Sequence, residues 1–195
     1  MNWSAIILAA GASSRMGEPK ALLRIGEETF VDRLARVFGS LCSDVIVVTG
    51  DDSDRIEREM HRRIGCRMVR NPNPENGQLS SLQLGLKAVA EDPGGIFMIP
   101  VDCPGIEPST IVQLQGAIGD SFVIPRYGHK HGHPIGFRSE LASEFLDLDA
   151  SRDTARTVVH RHRNTTVYVD VDDPAIHWDI DDRSEYRRTI GGVAL

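Results

Sequence analysis

Basic charge, cysteine and long apolar runs are all scarce in this sequence, and each scarcity removes a class of function. Lysine and arginine total 22 against 28 aspartates and glutamates, a net charge of −6. A general nucleic-acid binder leaves a basic footprint, so nucleic acid is not an expected partner. A small anionic ligand is still admitted, because it reads a local field. The three cysteines, Cys42, Cys66 and Cys103, are odd in number and widely spaced. That fits neither a disulfide framework nor a CxxC metal site, and it points to a reducing cytoplasm. The opening residues Met1-Asn2-Trp3-Ser4 carry no basic segment, and the apolar run 5–10 is too short for the core of a signal peptide. Nothing approaches the length of a membrane span, so no membrane association is expected. Two nucleotide motifs are missing as well. Five residues separate Gly11 from Gly17, and Glu18-Pro19 intervenes before Lys20, so this loop is not a Walker A. No G-x-G-x-x-G occurs, which counts against a nicotinamide- or flavin-dependent oxidoreductase, a class that fold alone would not exclude.

What remains is an ordinary globular composition, 41% hydrophobic and 26% charged over 195 residues. That is enough chain for one α/β domain with a sizeable core. Short apolar runs, Ala5 to Leu8, Asp44 to Thr49, Arg67 to Val69, Ile96 to Val101 and Phe122 to Ile124, read as strands. Helical spacing links Phe30, Leu34, Val37, Phe38 and Leu41, then Ile56 and Met60 within Asp52 to Arg63. It recurs in Leu79, Leu82, Leu86 and Val89, and a further helix is expected over Ser109 to Ile118 behind Pro108. The alternation predicts a mostly parallel sheet with helices on both faces, a three-layer α/β/α sandwich. Beyond residue 125 the pattern loosens. A tight turn is expected over Gly128 to Pro134, an extended Ile135-Gly136-Phe137, a helix over Arg152 to His162, a strand over Thr166 to Val171 and a closing helix over Arg183 to Ile190.

Ligands of open α/β sheets bind beyond the carboxyl ends of the strands. Three polar loops fall there: 9–20, 71–81 and 102–105. In the first, small residues from Ala9 to Ser14 let backbone N–H groups approach an anion, with Arg15 and Lys20 as cations. A glycine-containing surface loop with two solvated cations is the plainer alternative. Asp102, ending an apolar strand, is placed to hold a hard cation such as Mg²⁺, or is simply a turn residue before Cys103-Pro104. Asp179 and Asp181 alternate onto one face of an extended segment; they complete such a site, or Asp181 or Asp182 caps the closing helix. His129, His131 and His133 raise a zinc site, against which stands an anion-binding turn. Cys103 reads as a packing residue rather than a nucleophile.

The run Leu8-Ala9-Ala10-Gly11-x-Ser13-Ser14-Arg15-Met16-Gly17-x-Pro19-Lys20 resembles the signature of the molybdopterin nucleotidyltransferase-like family, and looks closest to its molybdenum cofactor cytidylyltransferases. The resemblance continues through Asn71-Pro72 with Gly77 and Ser80-Ser81-Leu82, Pro100-Val101-Asp102-x-Pro104, Gly132-His133-Pro134 and Asp179-Ile180-Asp181. It implies a Rossmann-like sheet of the nucleotide-diphospho-sugar transferase type in one domain, residues 1–195. Nucleotide would bind in about 1–105 and acceptor in about 106–195. It implies that Gly11, Ser13, Ser14, Arg15 and Lys20 hold a triphosphate, that Leu8, Ala9, Ala10, Asn71, Gly77, Ser80 and Ser81 surround the nucleoside, that His133 lies on the acceptor side, and that Asp102 and Asp181 hold Mg²⁺. Relatives with Leu-Ala-Ala-Gly tend to use CTP and those with Leu-Ala-Gly-Gly GTP, so Ala10 favours CTP. The acceptor would be a phosphorylated small molecule such as molybdopterin, with a molybdoenzyme or its chaperone as possible recipient. The sequence departs from the family pattern at Asp181-Asp182-Arg183-Ser184-Glu185 and at 150–156, where two expected glycines are absent. Those departures keep open a sugar-phosphate or other small-phosphate nucleotidyltransferase, and a non-catalytic nucleotide-binding regulator.

Overall fold

Strands buried on both faces must be apolar at odd and even positions alike, and the central strands here are. The computed structural model describes residues 1–12, 16–61, 65–90 and 93–191. The chain opens with β1 (Trp3–Ala9), a small hairpin of β2 (Arg24–Ile25) and β3 (Glu28–Thr29), and α1 (Phe30–Gly39). It continues through β4 (Asp44–Thr49), α2 (Ser53–Glu59), β5 (Cys66–Arg70), α3 (Gly77–Ala88), β6 (Gly95–Pro100), α4 (Pro108–Ala117) and β7 (Phe122–Tyr127). The last part holds β8 (Lys130–His131), β9 (Ile135–Arg138), α5 (Ala142–Leu146), α6 (Ala155–Arg161), β10 (Val167–Asp170) and α7 (Arg183–Ile190).

The main sheet has the order β10-β7-β9-β6-β1-β4-β5, with β8 paired to β7. β1 runs parallel to β4 and β6, β4 to β5, and β10 to β7; β9 enters antiparallel between β6 and β7. Ala5, Ile7 and Ala9 face one core together with Phe30, Leu34 and Phe38 of α1, Ile56 of α2 and Ile111 of α4. Ile6 and Leu8 face the other, with Leu79, Leu82 and Leu86 of α3, Phe145 of α5 and Val158 of α6. The expected three layers are therefore present in a mostly parallel sheet.

Three expectations shift. The helix expected from Arg152 starts only at Ala155, with Thr154 as its extended N-cap. The turn at 128–134 closes on the short pair Arg126–His131 and Tyr127–Lys130. The helix expected over Asp52 to Arg63 ends at Glu59, and Arg62 and Arg63 lie outside the described residues.

Register decides where function can sit. Ala9 pairs with Thr49, Leu8 with Pro100, and Thr49 with Arg70. Three more hydrogen bonds tie the strand exits: Val101 N–H to Leu8 O, Asn71 N–H to Thr49 O, and Cys103 N–H to Pro100 O. The loops after β1, β4, β5 and β6 therefore share one edge. The late segment 173–181 is fastened there by Asp173, which is only 3% exposed. Its carboxylate accepts from Glu107 N–H at 3.0 Å, Thr110 Oγ1–H at 2.8 Å and Ala175 N–H at 3.0 Å. Replacing Asp173 with alanine leaves these donors unmet and is expected to cost about 2–3 kcal/mol of unfolding free energy. Urea denaturation measures it, and a loss under about 0.5 kcal/mol contradicts the fastening.

Candidate active site

β1 delivers Ala9, Ala10, Gly11 and Ala12 to the shared edge. With Leu8, Lys20 and Asp102 they line one cavity, whose far side is Pro74, Gly77, Gln78 and Ser81. Gly77 has φ +83° at the start of α3, a left-handed value that favours glycine. Behind the wall, the Asn71 amide donates to Ser80 Oγ and Ser81 Oγ, each at 2.9 Å, and its carbonyl accepts from Asn73 N–H. Asn71 thus sets the serines in place from behind. Ser13, Ser14 and Arg15 lie outside the described residues.

Lys20 begins a single helical turn, Lys20–Leu22, and reaches across the edge. Its Nζ donates to Asp102 Oδ2 at 2.9 Å and to Asp181 Oδ1 at 2.5 Å. Asp102, Asp179 and Asp181 each bring an oxygen within 4.8 Å of the others. This is the only group of three or more potential metal ligands among the described residues, so the histidine turn forms none there. His131 instead stacks on Tyr168, with ring centroids 5.6 Å apart. An all-oxygen donor set suits a hard divalent cation, and the bridging ammonium shows that the cluster accepts positive charge.

The electrostatics follow from this crowding. Burial works against the Lys20 ammonium, but hydrogen bonds and charge from Asp181 and Asp102 outweigh it and raise its pKa. Burial, and then the charges of Asp102 and Asp181, raise that of Asp179. Burial, and then the charges of Asp102 and Asp179, push the Cys103 thiol well up, which leaves it an inert packing residue.

The acidic segment is held by contacts that residue types alone do not reveal. A Cβ on Gly105 would lie 2.3 Å from the Trp178 ring, so only glycine lets that indole lie against the loop after Asp102. Ile180 N–H donates to Asp102 O, and Ile180 is fully buried between the exposed Asp179 and the half-buried Asp181. Asp182 takes the capping task, accepting from Ser184 N–H and Glu185 N–H at the start of α7, while Asp181 faces Lys20. Gly132 fits tightly too, since its Cβ would meet Ile176 O at 2.0 Å, and His133 N–H donates to that carbonyl. Sequence reading missed Gln78 in the cavity wall, the Gly105–Trp178 contact, and Arg183, whose Nε donates to Met16 O and ties α7 to the first loop. Gln78 lies beside the serine motif and was within reach of that signal; the other two depend on tertiary contact.

His133 does not line the cavity, yet it lies within electrostatic reach of Asp102. Its Nδ1 is buried with no hydrogen-bond partner among the described residues. Burial lowers its pKa from 6.5 to about 4, with the positive charge of Arg156 adding and Asp102 opposing. The unfolded chain therefore binds this proton more tightly than the folded one, and a folding penalty grows as pH falls below about 6.5 toward 4. Between pH 7 and pH 5, the wild-type protein is expected to lose about 1–2 kcal/mol more stability than His133→Gln. Urea unfolding at both pH values measures the difference, and parallel losses contradict a neutral buried imidazole.

Comparison with known proteins identifies the family. The model of the MobA-like NTP transferase domain matches residues 5–166. A molybdenum cofactor guanylyltransferase of Sinorhizobium fredii (strain NBRC 101917 / NGR234) is 27% identical over 170 residues, covering 84% of this chain and 77% of the relative. A molybdenum cofactor cytidylyltransferase of Escherichia coli (strain K12) is 28% identical over 130 residues, 67% of each. Among solved structures, Rv0371c of Mycobacterium tuberculosis H37Rv in complex with manganese superposes with a TM-score of 0.78 at 24% identity, covering 99% of this chain and all of that one. The family model takes in the first loop, the serine motif, Asp102 and the histidine turn together, and the chain belongs to the MobA-like NTP transferase family of nucleotidyltransferases.

Proposed function

We propose that this protein transfers CMP from CTP to a phosphate-bearing acceptor of the molybdopterin type and releases pyrophosphate. One observation carries the reading: Lys20 and Asp102 line the cavity of the β1 loop, and the Lys20 ammonium bridges Asp102 and Asp181. Gly11, Ser13, Ser14, Arg15 and Lys20 would hold the triphosphate, and Leu8, Ala9, Ala10, Asn71, Gly77, Ser80 and Ser81 would form or support the nucleoside pocket. Asp102 and Asp181, with Asp179 as a third carboxylate, would hold Mg²⁺; a protein of the same fold has been crystallised with manganese. Ala10, within Leu-Ala-Ala-Gly, supports cytidine over guanosine.

An acceptor phosphate oxygen attacks the α-phosphorus in line. The new P–O bond forms as the bond from the α-phosphorus to the bridging oxygen breaks, and the electron pair leaves with pyrophosphate. The acceptor is already ionised, so no strong general base is required. The work left to the protein is positioning and charge neutralisation. Lys20, with Arg15, offsets charge that develops on the leaving group. A bound divalent cation supplies Lewis-acid stabilisation of phosphate oxygens. His133, held neutral by burial, would stand on the acceptor side without adding charge.

The departures at 150–156 favour testing acceptors other than molybdopterin as well. Pyrophosphate release from CTP, GTP and UTP, with molybdopterin and with sugar phosphates, reads both specificities at once. CTP with molybdopterin is expected to be fastest. Asp102→Asn is expected to lower turnover by about a hundredfold or more. Near wild-type turnover in that variant removes Asp102 from the proposed role, and nucleotide binding without pyrophosphate release across the panel points to a regulator.

A further inference from the structure

Lys20 stands in an unexpected place for a side chain assigned to phosphate. Its Nζ lies 2.9 Å from Asp102 Oδ2 and 2.5 Å from Asp181 Oδ1. Both carboxylates belong to the cluster whose oxygens lie within 4.8 Å of one another. The Lys20 side chain is only 16% exposed, so its charge is partly withdrawn from water. A compact, strongly hydrated charge is stable there only while other oxygens replace that water. The same carboxylate oxygens are what a hard divalent cation requires. Two cations on one pair of carboxylates at contact distance repel strongly in a partly desolvated site.

The cavity offers the ammonium another place to go. Lys20 lines the same cavity as Gly11 and Ala12. A triphosphate seated there would offer it anionic oxygens in exchange for the carboxylates, through charge-assisted hydrogen bonds of the same kind. We propose that Lys20 is an internal counter-cation: it competes with the divalent metal for Asp102 and Asp181 and yields them when a nucleoside triphosphate takes over its ammonium. Metal then enters with the nucleotide or after it. This rests on the assignment of Asp102 and Asp181 to the metal, and it makes Lys20 the residue that sets the order of binding.

Binding of Mn²⁺ to the full chain, followed by electron paramagnetic resonance of the free ion and by calorimetry, tests the exchange. The nucleotide is a CTP analogue with a methylene between the α- and β-phosphorus. Wild-type protein is expected to bind Mn²⁺ weakly alone and more tightly with the analogue. Lys20→Met keeps the stem and removes the charge; alone it is expected to bind Mn²⁺ about tenfold tighter than wild type, and to gain less from the analogue. Lys20→Gln is a second neutral variant should the first not fold, and Lys20→Arg keeps the charge and is expected to stay weak. If both neutral variants bind Mn²⁺ no tighter than wild type while Asp102→Asn abolishes binding, the competition is overturned and the metal site stands. If Mn²⁺ binding is indifferent to Asp102→Asn, the metal assignment and the competition fall together.

Discussion

Three carboxylates brought within a few ångströms repel one another unless positive charge sits among them, and the working edge of this protein is organised around that constraint. Asp102 arrives from the loop after β6, and Asp179 and Asp181 from the segment before α7. Without compensation, folding would have to protonate one of them or splay them apart. Burial, and then the charges of Asp102 and Asp181, raise the Asp179 pKa. The Lys20 ammonium, bonded to both Asp102 and Asp181, offsets the repulsion. A site that must be neutralised by cations is also one that can trade one cation for another, which is the property the proposed metal-dependent transfer needs.

The fold supplies the convergence through register. Parallel pairing of β1 with β4 and β6 carries the exits of those strands to one edge. Close approaches of backbone then bring in the late segment. The Trp178 ring lies where a Gly105 side chain would be, Ile180 N–H meets Asp102 O, and Asp173 anchors the start of the segment to α4. The histidine turn is pinned to the same segment through Ile176 O. The carboxylate cluster and the histidine turn therefore share one support, so a shift in the segment moves both.

Much of this was legible in the sequence, for identifiable reasons. The core strands announce themselves because burial on both faces forces unbroken apolar runs, as in 44–49. The first loop and Asp102 were legible because small residues, cations and a carboxylate at strand ends have few structural uses there. The choice between Asp181 and Asp182 as helix cap could not be read from residue types, since both are aspartates; backbone geometry gives the cap to Asp182. The Gly105–Trp178 contact was hidden because it joins positions 73 apart in the chain. The antiparallel entry of β9 was hidden too, because a short extended run such as Ile135-Gly136-Phe137 carries no sign of its direction. The start of α6 came late because Thr154 takes an extended N-cap conformation, and propensity alone does not mark that boundary.

The central claim is that a nucleotide's phosphates and a divalent cation meet between the β1 loop and the Asp102–Asp181 pair. Anomalous diffraction from crystals grown with Mn²⁺ and a non-hydrolysable CTP analogue tests it most directly. The account predicts a manganese peak in contact with Asp102 and Asp181, with the Lys20 ammonium moved from the carboxylates onto phosphate oxygens. A peak elsewhere, or a triphosphate bound away from Gly11 and Lys20, would contradict it.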